Sequence, residues 1–295
     1  MRVAVIGKYG QLARCLAETA TVDVELVCFG HDEFDLADPS ADYSTLASRH
    51  PELVINAAAF TAVDAAETDR DAAFALNAYG PARLAEFCAE REIGLIHIST
   101  DYVFDGNQTR PYVEADSTTP LNVYGESKLS GEVAVADILA QHITIRTSWL
   151  YSAFGSNFVR TMLRLARQRD SLRIVSDQIG RPTSAGQLAS VIWNIAGQLR
   201  AYQDTRSLWG TYHYADGGEM SWADFAAAIF AMPEAELPRP PQIERIASSD
   251  YATAAKRPSY SVLDTTKIES TFAIRSAFWG DSLRDVPVLD RKSVV

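Results

Sequence analysis

Two short stretches hold the side chains best suited to chemistry. Ser99-Thr100-Asp101-Tyr102-Val103-Phe104 follows the apolar run Leu95–Ile98, and Tyr124-Gly125-Glu126-Ser127-Lys128 comes soon after. Tyr124 and Lys128 stand four residues apart, so on a helix they share a face. An ammonium beside a phenol favours phenolate, and the spacing predicts a tyrosine pKa below its ordinary value of about 10. Such a tyrosine exchanges a proton near neutral pH. Carbonyl reduction needs that group, because hydride arrives at carbon while a proton must reach oxygen. Y-x-x-x-K alone is a weak pattern that surface residues match by accident. Its weight comes from the start of the chain.

Met1-Arg2-Val3-Ala4-Val5-Ile6 is an apolar run of the length expected for a buried parallel strand. Gly7-Lys8-Tyr9-Gly10-Gln11-Leu12-Ala13 then opens a helical pattern through Leu12, Leu16 and Ala20. Glycine permits a tight turn and a close approach of backbone to phosphate. A helix N-terminus supplies N–H groups and a positive dipole end for a pyrophosphate. The dinucleotide fingerprint ordinarily carries a third glycine, and here Ala13 stands in its place, where small size suffices for packing. Gly7 and Gly10 are therefore read as cofactor-binding.

The elements that must position these residues follow from periodicity. Strand-like runs at Val3–Ile6, Val24–Phe29, Leu53–Ala57, Leu95–Ser99 and Ile143–Thr147 alternate with helical patterns from Gln11, at 43–49, 71–91 and 124–140. That alternation predicts right-handed βαβ units, an α/β fold and a doubly wound parallel sheet. Ligands of such sheets sit at the carboxyl ends of the strands, where the singled-out residues fall. Helical pattern recurs at 156–170 and 184–200, and six prolines from Pro233 to Pro287 break the later chain into short pieces. The expected division is a dinucleotide-binding domain over 1–149, with a return at about 171–215. A smaller, mixed α/β substrate-binding domain would take about 150–170 and 216–295. Leu172–Val175 is the stretch expected to rejoin the sheet.

With 295 residues, 47% hydrophobic and 22% charged, the chain is of globular composition. No apolar run reaches the roughly 18 residues of a membrane span. Met1 leads directly into the first strand, which predicts a cytoplasmic protein without a signal peptide. Cys15, Cys28 and Cys88 lie far apart in apolar patterns and read as buried thiols in a reducing compartment. The five histidines form no cluster, and His97 reads as a core residue of its strand. A net charge of −11 disfavours nucleic acid, which requires a basic footprint. It leaves room for a nucleotide-linked substrate held by local backbone donors and a few arginines.

Longer blocks sharpen the reading. They include Asn56-Ala57-Ala58-Ala59-Phe60-Thr61-Ala62-Val63-Asp64-Ala65-Ala66-Glu67, Pro120-Leu121-Asn122-Val123-Tyr124-Gly125, Arg146-Thr147-Ser148-Trp149-Leu150-Tyr151, Asp177-Gln178-Ile179-Gly180-Arg181-Pro182-Thr183 and Arg257-Pro258-Ser259-Tyr260-Ser261-Val262-Leu263. With them the chain resembles, nearly end to end, the dTDP-4-dehydrorhamnose reductase family of extended short-chain dehydrogenase/reductases. The resemblance implies a Rossmann-like domain and reduction of the 4-keto group of dTDP-4-dehydro-L-rhamnose to dTDP-L-rhamnose, for surface polysaccharide. It implies that Tyr124 donates the proton, Lys128 holds the nicotinamide ribose, and Thr100 hydrogen-bonds the substrate oxygen. Asp101 and Trp149 would touch the sugar. Gln11 and Leu12 would sit over the pyrophosphate, Asp35 and Leu36 by the adenine, and Ala59, Phe60 and Thr61 along the cofactor. Trp149 is otherwise a core aromatic. Arg181 and Arg257 read either as diphosphate contacts or as solvated surface residues. Asp64 and Glu67 read as helix N-terminal acids.

Some members of this family join as dimers through a metal held by acidic side chains, one of them just after the G-x-P-T segment. Gly186 and Gln187 stand there in this chain. No metal is therefore expected, and the protein is read as a monomer or another homodimer. Asp32 and Glu33 come late after the second strand, where an acid would bind a ribose 2′-hydroxyl and repel a 2′-phosphate. That favours NADPH, with NADH tolerated. The rival functions are another nucleotide-sugar 4-ketoreductase or epimerase, and a non-catalytic regulatory subunit of the same fold.

Overall fold

The computed structural model describes residues 1–202 and 204–284. The sheet grows from the apolar runs: β1 (Arg2–Ile6), β2 (Glu25–Phe29), β3 (Leu53–Asn56), β4 (Gly94–Thr100) and β5 (His142–Thr147). They are parallel and lie in the order β2-β1-β3-β4-β5, with the late strand Gly210–His213 added beyond β5. Successive residues of a strand face opposite sides. Val3, Val5, Ile55, Ile96 and Ile145 pack under the helices Gln11–Thr19 and Ala185–Ala201. Ala4, Ile6, Val54 and Leu95 pack on the other side, with Leu84 and Cys88 of the helix Gly80–Glu90 and Val135 of the helix Val123–Ile138. β2 and β3 flank β1 on opposite sides, so a crevice opens at the carboxyl ends of β1 and β3.

On the second side the core turns polar towards those ends. Leu95, His97 and Ser99 of β4 pair in register with His142, Thr144 and Arg146 of β5, and all six are buried. The helix Val123–Ile138 lies over this layer. Its N-terminus is fixed twice: Asn122 Oδ1 accepts from the Gly125 amide at 2.8 Å, and Glu67 Oε1 accepts from the Val123 amide at 2.8 Å. Gly131 lets it approach closely, because a Cβ there would collide with the carbonyl of Asn77.

The helix expected over 71–91 is present, but not as one regular element. Arg70–Phe74 and Gly80–Glu90 are α-helical, and Ala75–Tyr79 between them is a wider π turn. Such turns accommodate an extra residue and re-aim a side chain.

The later chain also departs from expectation. Ser171–Val175 does not rejoin the sheet. It pairs in parallel with Gln242–Ile246, away from the six strands. Leu172 and Ile174 are buried with Tyr151, Leu163, Phe225 and Ile229 in a separate apolar cluster under the helices Phe158–Ala166 and Trp222–Ala231. The alternating pattern of a half-buried strand does not specify which sheet it joins. The return to the main core is made by Ala185–Ala201 and Gly210–His213, and again by Thr266–Phe272, whose Ile268 and Phe272 enter the first side's core. Of the three thiols, Cys15 and Cys88 are buried and Cys28 is half-buried. No helix among the described residues is long and apolar enough to cross a membrane.

Candidate active site

A cleft of about 710 Å³ runs along the carboxyl ends of the strands. Its floor comes from the segments after β1, β3, β4 and β5, and Gly155, Ser156 and Trp222 close it from the other side.

The end beneath β1 is made of backbone. Gly7 has φ +104°, and a Cβ on it would lie 2.8 Å from the Ala58 amide nitrogen and 2.9 Å from the Ala57 carbonyl carbon. Only glycine fits a turn so close to the chain leaving β3. The nine-residue helix Gln11–Thr19 begins at Gly10, which offers no side-chain cap, and its first turn carries no acid. Its first amides and its positive dipole end therefore suit an anion. A dinucleotide fits this cradle. Leu12, Asp35, Leu36, Ala59 and Thr61 line the cleft with Gly7, Gly10 and Gln11. The Gln11 side chain is engaged in pinning the opposite wall, accepting from Ser152 Oγ and Asn157 Nδ2, both at 2.9 Å. Phe60 does not line the cleft. Side chains alternate along the segment 59–61, and the Phe60 ring turns away to pack with Ala66, Ala73 and Val123. Asn77, on the π turn, accepts from the Phe60 amide at 2.8 Å and donates to its carbonyl at 3.0 Å.

Beyond β2 the two acids are tied back. Tyr9 Oη donates to Asp32 at 2.9 Å, and Glu33 accepts from Lys8 Nζ at 3.0 Å and from the Gly30 amide at 3.2 Å. A Cβ on Gly30 would strike the Asp32 carboxylate and come within 2.5 Å of the Tyr9 ring.

The end beneath β4 and β5 is made of side chains, most of them buried. Tyr124 and Lys128 both line it, as the helical spacing predicts. The Thr100 hydroxyl donates to Asp101 Oδ1 at 3.1 Å and accepts from the Tyr102 amide at 3.2 Å. Burial pushes the Asp101 carboxyl up to about 7, against the pull of the Ser261 and Thr100 hydroxyls. Its Oδ2 has no protein partner. Lys128 Nζ donates to the carbonyl of Ile98 at 2.6 Å. Burial brings its pKa down to about 8, and the Glu132 charge opposes that shift.

The expected lowering of the tyrosine pKa is not found. Burial pushes Tyr124 up to about 12, outweighing the Thr100 hydroxyl, which favours phenolate, while the Asp101 charge adds to the rise. The ammonium that was to lower it is aimed at a backbone carbonyl. At neutral pH the phenol holds its proton, the state a proton donor requires.

Trp149 lies in the cleft wall with φ +45°, a conformation that side chains other than glycine seldom adopt. Its indole is stacked on that of Trp222, centroids 3.4 Å apart and planes within 8°, and a Cβ on Gly180 would come within 2.5 Å of it. Nothing in the sequence pointed to Trp222, since it opens a helix far from any motif. Ser99 and Ser148 also line the cleft. Neither arginine lines the cleft, and each is held by protein groups. Arg181 donates to the carbonyls of Asp216 and Leu263, both at 2.7 Å, and Arg257 donates to both Asp64 oxygens, at 3.2 and 2.7 Å. Asp64 and Glu67 thus serve as a salt-bridge partner and a cap. No group of three or more His, Cys, Asp or Glu that could hold a metal occurs among the described residues.

Residues 1–290, which include both ends of this cleft, match the model of the RmlD substrate binding domain family. The chain belongs to this family. It is 43% identical over 284 residues to dTDP-4-dehydrorhamnose reductase of Sinorhizobium fredii, covering 96% of each chain. Among solved structures of the family's reductases, that of Clostridium acetobutylicum matches with a TM-score of 0.89 and 34% identity, over 97% of this chain and 98% of that one. The Bacillus anthracis reductase, determined in complex with NADP, matches with a TM-score of 0.88 and 33% identity, over 96% and 97%. The Rossmann-like sheet described above is thus the fold of the RmlD family's reductases.

Proposed function

We propose that this protein reduces the 4-keto group of dTDP-4-dehydro-L-rhamnose to dTDP-L-rhamnose, using NADPH and accepting NADH. The observation that carries the reading is the pairing of a phosphate cradle at Gly7–Leu12 with a half-buried, protonated Tyr124 in one cleft. The reductases it resembles supply the substrate. The nicotinamide, when bound, supplies the hydride. Tyr124 gives its proton to the oxygen that the hydride leaves negative. Thr100, next to that phenol, hydrogen-bonds the same oxygen and steadies the developing phenolate. Lys128 holds the nicotinamide ribose and offsets the charge that forms on Tyr124. Asp101 and the edge of Trp149 hold the sugar. Gly7, Gly10, Gln11, Leu12, Asp35, Leu36, Ala59 and Thr61 hold the rest of the cofactor, the first four at the pyrophosphate and the next two at the adenine. The protein is read as a cytoplasmic monomer or homodimer, and turnover by EDTA-treated protein is expected to need no divalent metal.

The test is to mix the protein with NADPH and dTDP-4-dehydro-L-rhamnose and follow nicotinamide absorbance. Oxidation of NADPH with formation of dTDP-L-rhamnose is expected. Turnover only with a different 4-keto nucleotide sugar would move the protein to another ketoreductase specificity. No turnover with any of them would make it a binding subunit.

A further inference from the structure

The mechanism above uses Lys128 as an ammonium, yet the site works against an ammonium. Lys128 is 1% exposed, and burial in a medium of low polarity favours the neutral amine. Something must hold the charge. Tyr124, Lys128 and Glu132 are spaced by four on the helix Val123–Ile138 and share one face. Glu132 is itself buried, and its carboxylate is gripped from β5 by Arg146: Nε donates to Oε1 and Oε2 at 3.0 and 3.1 Å, and Nη2 donates to Oε2 at 2.7 Å. Arg146 is fixed in turn. Its guanidinium lies over the Phe104 ring at 5.2 Å, and Nη1 faces Nε2 of His213 at 3.4 Å. His213 points Nδ1 at the Tyr112 carbonyl, 3.0 Å away, so the ring presents an acceptor to Arg146. Charges therefore alternate along the buried layer, positive at Lys128, negative at Glu132 and positive at Arg146.

We propose that Glu132 and Arg146 are a positioning pair for Lys128: the Glu132 carboxylate favours the ammonium in its buried site, and Arg146 ties that carboxylate to β5. Neither residue lines the cleft. Both act through Lys128.

The other titratable groups around Lys128 do not take this role. Tyr124, on the same helix, is uncharged up to about 12. His97, on β4, is held well below its ordinary value by burial and by the nearby Lys128 and His142 charges, and stays neutral. Asp101, after β4, is pushed up to about 7 by burial and is retained in every variant below.

The inference rests on the reading of Lys128 as the ribose ligand, so Lys128→Met is the control. It should weaken NADPH and remove the alkaline decline of its affinity. If it leaves NADPH affinity unchanged at all pH values, that reading fails, whatever Glu132 does. The test proper is NADPH binding against pH by fluorescence titration, for wild type, Glu132→Gln, Arg146→Met and the double variant. A neighbouring opposite charge moves a pKa by about 1–3 units, so Glu132→Gln should bring the alkaline decline about one unit lower. At the wild-type midpoint that corresponds to an affinity loss of roughly fivefold. Arg146→Met should not lower the decline. The double variant, which removes both charges, should recover at least half of the Glu132→Gln shift. A uniform loss of affinity with the decline unmoved in Glu132→Gln would mean a packing role only and overturns the proposal. So does a double variant as low as Glu132→Gln. If Glu132→Gln does not fold, comparison of Arg146→Met with the double variant isolates the same carboxylate, and identical profiles there overturn the proposal.

Discussion

At β1 the cleft wall is backbone: a glycine turn, a helix start without a side-chain cap, and the chain leaving β3 packed against both. At β4 and β5 it is side chains: Lys128 and Asp101 taken out of water and Tyr124 half-buried beside them, with Glu132 and Arg146 behind. The first end costs little to build, since peptide N–H groups at a helix start are there in any case. The second end holds ionisable groups against their desolvation, and three of them have displaced pKa values as a result. A diphosphate needs only fixed donors and close approach. A proton transfer needs groups whose charge state is set, and that takes burial and partners.

The comparison predicts that the two ends fail separately. The largest effect belongs to Tyr124→Phe, which removes the proton and keeps the ring. Turnover should fall by about 10²–10⁴-fold with the NADPH dissociation constant nearly unchanged. An equal loss in binding would mean that the two ends are one unit. Gly7→Ala is the converse. It forces a side chain to φ +104° and into the Ala57–Ala58 backbone. A backbone conformation of this kind costs about 1–3 kcal/mol, so the melting temperature should drop and NADPH should weaken by about fivefold or more on titration. A variant that binds NADPH as wild type does would show that the turn does not need its glycine.

Asp101→Asn asks what the reaction end costs in stability. Its folded pKa, near 7, lies above the unfolded value, so the folded state binds the extra proton between about pH 4 and 7. Stability is therefore lost as pH rises through that window. The asparagine variant should melt a few degrees higher than wild type above pH 7 and no higher below about pH 4. The same gain at every pH would place its origin elsewhere. The smallest effect is expected at Asp64→Asn, outside both ends. The Asp64–Arg257 pair is half-exposed at the carboxylate, and such pairs contribute about 0.2–1 kcal/mol. Denaturant titration should show a loss in that range, with turnover unchanged.

The same division decided what could be read from the chain. Glycine at Gly7 and Gly10 after an apolar run states a backbone requirement directly, and the residues expected at that end line the cleft apart from Phe60, where alternation along three residues decides which side chain faces in. The Tyr124–Lys128 spacing placed both groups in the cleft. It could not give the direction of the tyrosine pKa, because helical spacing fixes a face and not the depth of burial or the aim of an ammonium. Trp222 and Asn77 were invisible for a related reason: each acts on residues distant in the sequence, and the π turn that aims Asn77 leaves no periodic trace. The main strands were legible from their apolar runs. The partner of Ser171–Val175 was not, since a strand's pattern describes its faces and not its neighbour.

The stacked pair of Trp149 and Trp222 has an optical consequence. Two indoles stacked 3.4 Å apart in nearly parallel planes have coupled transition dipoles, so their near-ultraviolet circular dichroism is that of a pair. A sugar ring that enters against Trp149 either leaves that pair closed or parts it. The first outcome preserves the coupled signal and the second abolishes it. The protein thus carries, in the wall of its own cleft, a label-free spectroscopic record of how the site is occupied.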